Sequence, residues 1–242
     1  SDFEPLRVLG VNISGSFYGI LGDMNALDVN YLSPLSGLFV TGTDTGIGKT
    51  QASVALIQAL RSAGRRVAGM KPVASGCAFI DGRWRNEDAL ALMAAAESGA
   101  DYATVNPYAL PLASAPQLAA AQAGLTIELP VLQEAYRKLA GQADVVLVEG
   151  DGGWLAPLSD SLDQADVARS LQLPVLIVVG MRLGCINHAR LTEQAVLASG
   201  GLLLGWLAND IEAGFDADGR YFEALSRSMQ TPCLGRLPFA MQ

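Results

Sequence analysis

The residues with the clearest chemical purpose are Gly42-Thr43-Asp44-Thr45-Gly46-Ile47-Gly48-Lys49-Thr50. A glycine-rich turn ending in Gly-Lys-Thr suits phosphate. Its backbone N–H groups cradle oxygens, Lys49 neutralises their charge, and the Thr50 hydroxyl reaches a bound Mg²⁺. A following helix adds partial positive charge at its N-terminus. The common form of this P-loop has four residues between its first Gly and Gly-Lys. Here five residues, Thr43 to Ile47, separate Gly42 from Gly48, so the loop is one residue longer. The alternative is a strand-to-helix turn with no ligand.

The loop needs a strand before it and a helix after it. Leu38–Thr41 is apolar or β-branched, as a buried strand requires, and Ala52, Val54, Ala55, Leu56, Ala59 and Leu60 recur at helical spacing. The pattern then alternates. Helices are expected from Thr50 to Ala63, Asn86 to Ser98, Ala115 to Ala123, Leu129 to Leu139, Ala165 to Leu171, Asn187 to Ser199 and Tyr221 to Met229. Strands are expected at Arg66–Met70, Asp144–Glu149, Pro174–Gly180, Leu202–Asn209 and Cys233–Pro238. Residues 101–117 read as loop. This predicts an α/β fold of the P-loop NTPase type, a mainly parallel sheet with helices on both faces. Ligands in such sheets bind beyond the carboxyl ends of the strands. Lys71-Pro72, Glu149-Gly150, Met181 to Asn187 and Asn209-Asp210 join the P-loop there. Residues 1–37, with a possible strand at Leu6–Ile13, read as an N-terminal extension of unassigned role ahead of the catalytic unit at 38–242.

Composition narrows the chemistry. The 242 residues carry a formal charge of −8, which disfavours nonspecific nucleic-acid binding. No apolar run reaches membrane-spanning length and no basic, apolar leader opens the chain, so a cytoplasmic location is expected. The three cysteines are widely spaced and read as reduced thiols.

Taken in order, several blocks resemble the dethiobiotin synthetase family. They are Phe39 to Thr45 with Gly48-Lys49-Thr50, Lys71-Pro72-Val73-Ala74-Ser75-Gly76, Arg85-Asn86 with Asp88-Ala89-Leu90, and Asp101-Tyr102-Ala103 with Val105-Asn106-Pro107. Val148-Glu149-Gly150 with Gly152-Gly153-Trp154, Leu183 to Ala189, and Gly205-Trp206 with Ala208-Asn209-Asp210 complete the match. The longer P-loop belongs to this family's pattern.

The resemblance implies ATP- and Mg²⁺-dependent carboxylation and ring closure of 7,8-diaminononanoate with CO₂, by way of a carbamate and a carbamic–phosphoric anhydride. It implies that Lys71, Lys49 and Thr45 serve the reacting groups, and that Thr50, Asp88 and Glu149 hold Mg²⁺. ATP would be met by Gly46, Ile47, Gly48, Lys49, Thr50, Glu149, Gly150 and Gly152. Asn209, Asp210, Leu237, Pro238 and Phe239 would lie on its nucleobase side. Ser75, Gly152 and Gly153 would bind the diamine. Cys185, Ile186, Asn187 and Tyr221 would reach its carboxylate tail across a homodimer interface. His188 is expected to cap or pack at a helix start. Replacing Lys71 is expected to cost little stability.

Two positions depart from the family's pattern. Asp151 stands where a small alanine is usual, and a carboxylate beside phosphates and Glu149 is expected to reduce nucleotide or substrate affinity. Gly46 replaces a larger, often acidic residue. The rival readings are a glutamine-dependent amidotransferase, for whose extra domain the chain has no room, a nucleotide-switched positioning ATPase, and an inactive or engineered relative of the synthetase, prompted by Asp151. The positioning ATPases generally have a second lysine early in the loop, where this chain has Thr43, Asp44 and Thr45.

Overall fold

A computed structural model describes residues 34–239, together with Arg7–Val8, Val11–Asn12 and Val29–Leu32. In chain order the elements are β1 (Arg7–Val8), β2 (Val11–Asn12), α1 (Val29–Leu32), β3 (Gly37–Gly42), α2 (Lys49–Ser62), β4 (Val67–Met70), β5 (Val73–Ala74), β6 (Ala78–Ile80) and β7 (Arg83–Arg85). They continue as α3 (Glu87–Ala96), α4 (Tyr102–Val105), β8 (Tyr108–Ala109), α5 (Pro116–Gln122), α6 (Leu129–Ala140), β9 (Val145–Glu149) and α7 (Gln164–Ser170). The last are β10 (Val175–Met181), α8 (Cys185–Ala198), β11 (Leu203–Asp210), α9 (Arg220–Ser228) and β12 (Cys233–Leu237).

Six strands form the central sheet in the order β12-β11-β10-β3-β9-β4, and every neighbouring pair is parallel. Side chains alternate across it. Val146 and Val148 of β9 enter one core with Ile177 and Val179 of β10. Val145 and Leu147 enter the other with Leu176 and Val178. Burial on both faces is why these strands read as continuous apolar runs rather than alternating ones. The chain passes from β3 to the β4 edge, returns to β9, and crosses β3 to reach β10. That reversal opens the ligand crevice at the end of β3, where the P-loop begins.

The expected elements of the sheet and its helices form within a residue or two of their anticipated ends. The departures lie between β4 and α5. Residues 101–117 are not simply loop, because they include α4 and β8, and β8 pairs with β5 through Val73↔Tyr108. Residues 78–85 make a hairpin turning at Asp81-Gly82, both at positive φ, the turn chemistry that favours such a loop. Of the strand expected at Leu6–Ile13, the described residues are β1 and β2, which pair antiparallel; the rest lie outside the described residues.

The sheet edge depends on a buried carboxylate. Glu193 of α8 is 1% exposed and accepts from the backbone N–H groups of Gln230 and Thr231, both at 3.0 Å, and from Thr231 Oγ1 at 2.7 Å. It holds the turn that starts β12. Glu193→Ala strands these donors, and we expect a loss of about 2–3 kcal/mol, or roughly 5–10 °C in Tm. A thermal melt of the variant reads this directly; an unchanged Tm would mean the turn is held by other contacts.

Candidate active site

The P-loop leaves the end of α2 open. Gly48, its N-cap, sits at φ +78 and contributes no side-chain cap. By contrast Asn86 caps α3 and Asp163 caps α7 through their side chains. The first N–H groups of α2 therefore have no side-chain acceptor and remain available to an anion. Gly48 also allows close approach, since a Cβ there would stand 2.1 Å from Asn209 Nδ2. Lys49 is 7% exposed and folds back over the loop, its Nζ donating to the Asp44 carbonyl at 2.9 Å. The Asp44 carboxylate in turn pairs with Arg182, at the end of β10, at 2.5 Å. Arg182 lies within Met181 to Asn187, a segment expected to join the loop, but was not singled out there.

Beside the loop lies a buried ionic cluster. Lys71 Nζ stands 2.8 Å from Glu149 Oε1 and 3.0 Å from Asp88 Oδ2, and donates to the Gly150 carbonyl at 3.2 Å. The Thr50 hydroxyl donates to the same Glu149 Oε1 at 2.9 Å. Lys71 is 1% exposed, which overturns the expectation that replacing it costs little stability. Removing its charge would leave the fully buried Glu149 uncompensated. Asp88 does not cap its helix, because Asn86 Oδ1 takes that part by accepting from Ala89 N at 3.2 Å.

The charges set one another. Burial alone would lower the Lys71 pKa, but the carboxylates of Glu149 and Asp88 outweigh it and hold the ammonium above the ordinary lysine value. Burial, helped by the positive charge of Lys71, lowers Lys49 to about 8. Burial would raise Asp88, but the Lys71 charge and hydrogen bonds from Thr50 and Lys71 keep it below the usual carboxylate range. Among the described residues no group of three or more His, Cys, Asp or Glu could hold a metal by itself. Thr50, Asp88 and Glu149 nevertheless offer the hard oxygen donors that Mg²⁺ takes alongside phosphate oxygens. Glu149 Oε2 is buried with no hydrogen-bond partner, an acceptor that such a cation would satisfy.

A cavity of about 610 Å³ opens next to this cluster. It brings together Thr45, Ser75, Asp88, Gly152 and Gly153, all named from the sequence, with Asp151. Residues 113–116 and Ala156 complete the wall. Small side chains at those positions carry no chemical signal by which sequence reasoning could have selected them. Asp151 turns towards Ser75 rather than away from the site.

The nucleobase-side residues gather elsewhere around the loop. Asn209 Nδ2 donates to the Ile47 carbonyl at 2.9 Å, while its Oδ1 is buried without a partner. Leu237 is its register partner on β12, with Pro238 and Phe239 exposed just beyond. The Asp210 carboxylate is engaged by Arg236, with Nη2 at 2.8 Å and Nε at 3.0 Å. Cys185, Ile186, Asn187 and Tyr221 do not line the cavity. The Cys185 side chain is buried, Asn187 is exposed, and the Tyr221 ring packs against Phe215 with centroids 4.5 Å apart. His188 lies in the first turn of α8, as a packing residue there would.

Proteins similar in sequence agree on one family. A family model described as an AAA domain matches residues 36–242. A protein of Xanthomonas campestris pv. campestris (strain 8004), named ATP-dependent dethiobiotin synthetase BioD, is 57% identical over 83% of this chain and 90% of its own length. The protein of that name from Xylella fastidiosa (strain 9a5c) is 51% identical over 84% of this chain and 90% of its own. In three dimensions the chain is similar to the MinC:MinD cell division protein complex of Aquifex aeolicus, with a TM-score of 0.54 over 84% of this chain and 81% of that one. At 15% identity that likeness shows the shared fold alone. The chain belongs to the ATP-dependent dethiobiotin synthetases.

Proposed function

We propose that this ATP-dependent cyclo-ligase joins CO₂ to 7,8-diaminononanoate and closes the ring, giving dethiobiotin, ADP and phosphate. One amine takes up CO₂ as a carbamate, a carbamate oxygen accepts the γ-phosphoryl group, and the second amine expels phosphate. The observation that carries this reading is the buried Lys71–Glu149–Asp88 cluster set between an open helix end and the 610 Å³ cavity.

Each residue then has a task of positioning or charge stabilisation. The N–H groups of Gly46, Ile47 and Gly48, the end of α2, and Lys49 hold the phosphates. Lys71, fixed by two carboxylates and the Gly150 carbonyl, presents its positive charge to the transferring group. Mg²⁺, held by Thr50, Asp88 and Glu149, would offset phosphate charge. Thr45, Ser75, Gly152 and Gly153 bind the diamine beside Gly150. Asn209 presents its unpartnered Oδ1 to a base amino group, with Leu237 to Phe239 alongside. Asp210 acts indirectly, by anchoring Arg236. Cys185, Ile186, Asn187 and Tyr221 lie off the cavity of their own chain, which suits a homodimer in which the α8 end completes the partner's site.

Purified protein given the diamine, bicarbonate, Mg²⁺ and ATP should release phosphate only when the diamine is present; release without it would overturn this function. Lys49→Ala should keep its thermal transition and lose turnover by about a hundredfold or more. Lys71→Ala should lose product formation and also about 3 kcal/mol of stability. A surface role for Lys71 would instead leave the melt unchanged. Nucleotide affinity should depend on pH. Below about 8 Lys49 meets phosphate already charged. Above that, binding must take up a proton, and affinity should fall by up to about tenfold per pH unit. Calorimetric titration with ADP on either side of that value checks the slope, and a flat profile would show that Lys49 stays protonated.

A further inference from the structure

Of the two carboxylates on the cavity wall, only one is neutralised. Asp88 is ion-paired with Lys71 at 3.0 Å. No cation among the described residues lies within ion-pair distance of Asp151, which feels Lys49 and Lys71 only through longer-range charge. Asp151 Oδ2 accepts from Ser75 Oγ at 3.1 Å and from Ser75 N at 3.3 Å. No described residue donates to Oδ1.

The Ser75 bond fixes the polarity of this wall. A hydroxyl has one proton, and Ser75 gives it to Asp151. What Ser75 Oγ has left for the cavity is lone pairs. Ser75 Oγ and Asp151 Oδ1 together therefore form a surface of acceptors bearing a full negative charge. The ammonium groups of the site belong to Lys49 at the loop and Lys71 in the ionic cluster. A ligand that meets both sets needs an anion at the loop and a donor-rich cation at Ser75–Asp151. An alkylammonium, with three N–H donors and no acceptor, has that complement.

We propose that Asp151, with Ser75 polarised by it, is a binding residue that docks one substrate amine in its ammonium form, its proton leaving to solvent before that amine acts as a nucleophile, and so selects a diamine over an amino alcohol of the same shape. The proposal rests on the synthetase reading of the cavity and adds a residue that sets its selectivity. Its carboxylate is turned to Ser75, the residue expected to bind the diamine.

The test uses calorimetric affinities of the full chain at neutral pH for 7,8-diaminononanoate and for its two analogues with a hydroxyl in place of one amine or the other. A charge-assisted contact predicts that the wild-type chain binds the diamine about tenfold or more tighter than one of the analogues. Asp151→Asn should remove that preference, weakening the diamine while leaving that analogue and ADP within about twofold. An unchanged preference in Asp151→Asn overturns the proposal, as does an equal loss for ADP. Wild-type affinities equal for all three ligands overturn it without any variant. Diamine-dependent phosphate release by the wild-type chain separates the two readings. If release occurs and the preference does not depend on Asp151, only the ammonium site fails. If release never depends on the diamine, the synthetase reading fails with it.

Discussion

A single ammonium, that of Lys71, is removed from water at the end of β4 and must be compensated where it lies. Glu149 comes to it from the end of β9 and Asp88 from the first turn of α3. Desolvating each ion costs several kcal/mol, and only close pairing offsets this. Deleting Lys71 would leave the charge of Glu149 stranded in the interior. The three elements are thus held in register by electrostatics at the place where the site needs rigidity. The cluster carries one more negative than positive charge, which leaves room for the positive charge of Lys49 or of a metal ion.

The parallel sheet makes this arrangement possible. Strands running the same way deliver all their carboxyl ends to one rim, so Gly42, Lys71, Glu149 and Asn209 arrive together although they are far apart in the chain. The helices that follow are treated differently. The helices α3 and α7 are capped by the side chains of Asn86 and Asp163, whereas α2 begins at a glycine whose N–H groups stay open to a ligand. A cap would satisfy those donors about as well as phosphate does and would close the site.

Legibility from sequence followed burial. Strands such as Val145–Glu149 and Val175–Met181 are covered on both faces, so their apolar runs announced them. The hairpin at 78–85 was missed because Phe79, Ile80 and Trp84 are exposed and leave no inside–outside pattern; Asp81-Gly82 was the available signal. Lys71 could be read as a site residue from its place after a strand. Its burial could not, because that depends on two carboxylates 17 and 78 positions away. Asp151 stood out by type, yet only the fold revealed Ser75 as its partner. Asp210 looked equally available until Arg236 was found beside it, 26 positions on.

Asn209 has a consequence for how such an enzyme can change. Its amide nitrogen is committed to the Ile47 carbonyl and lies against Gly48, while its oxygen is buried without a partner. If it meets the base as proposed, one side chain both contacts the nucleotide and sets the shape of the phosphate loop. Mutations that broaden nucleotide choice at this position will also loosen phosphate alignment, so that promiscuity and catalytic speed are traded against each other here. Lineages seeking a new nucleotide would be pressed to alter the outer wall around Leu237 to Phe239 instead, where the loop has no stake.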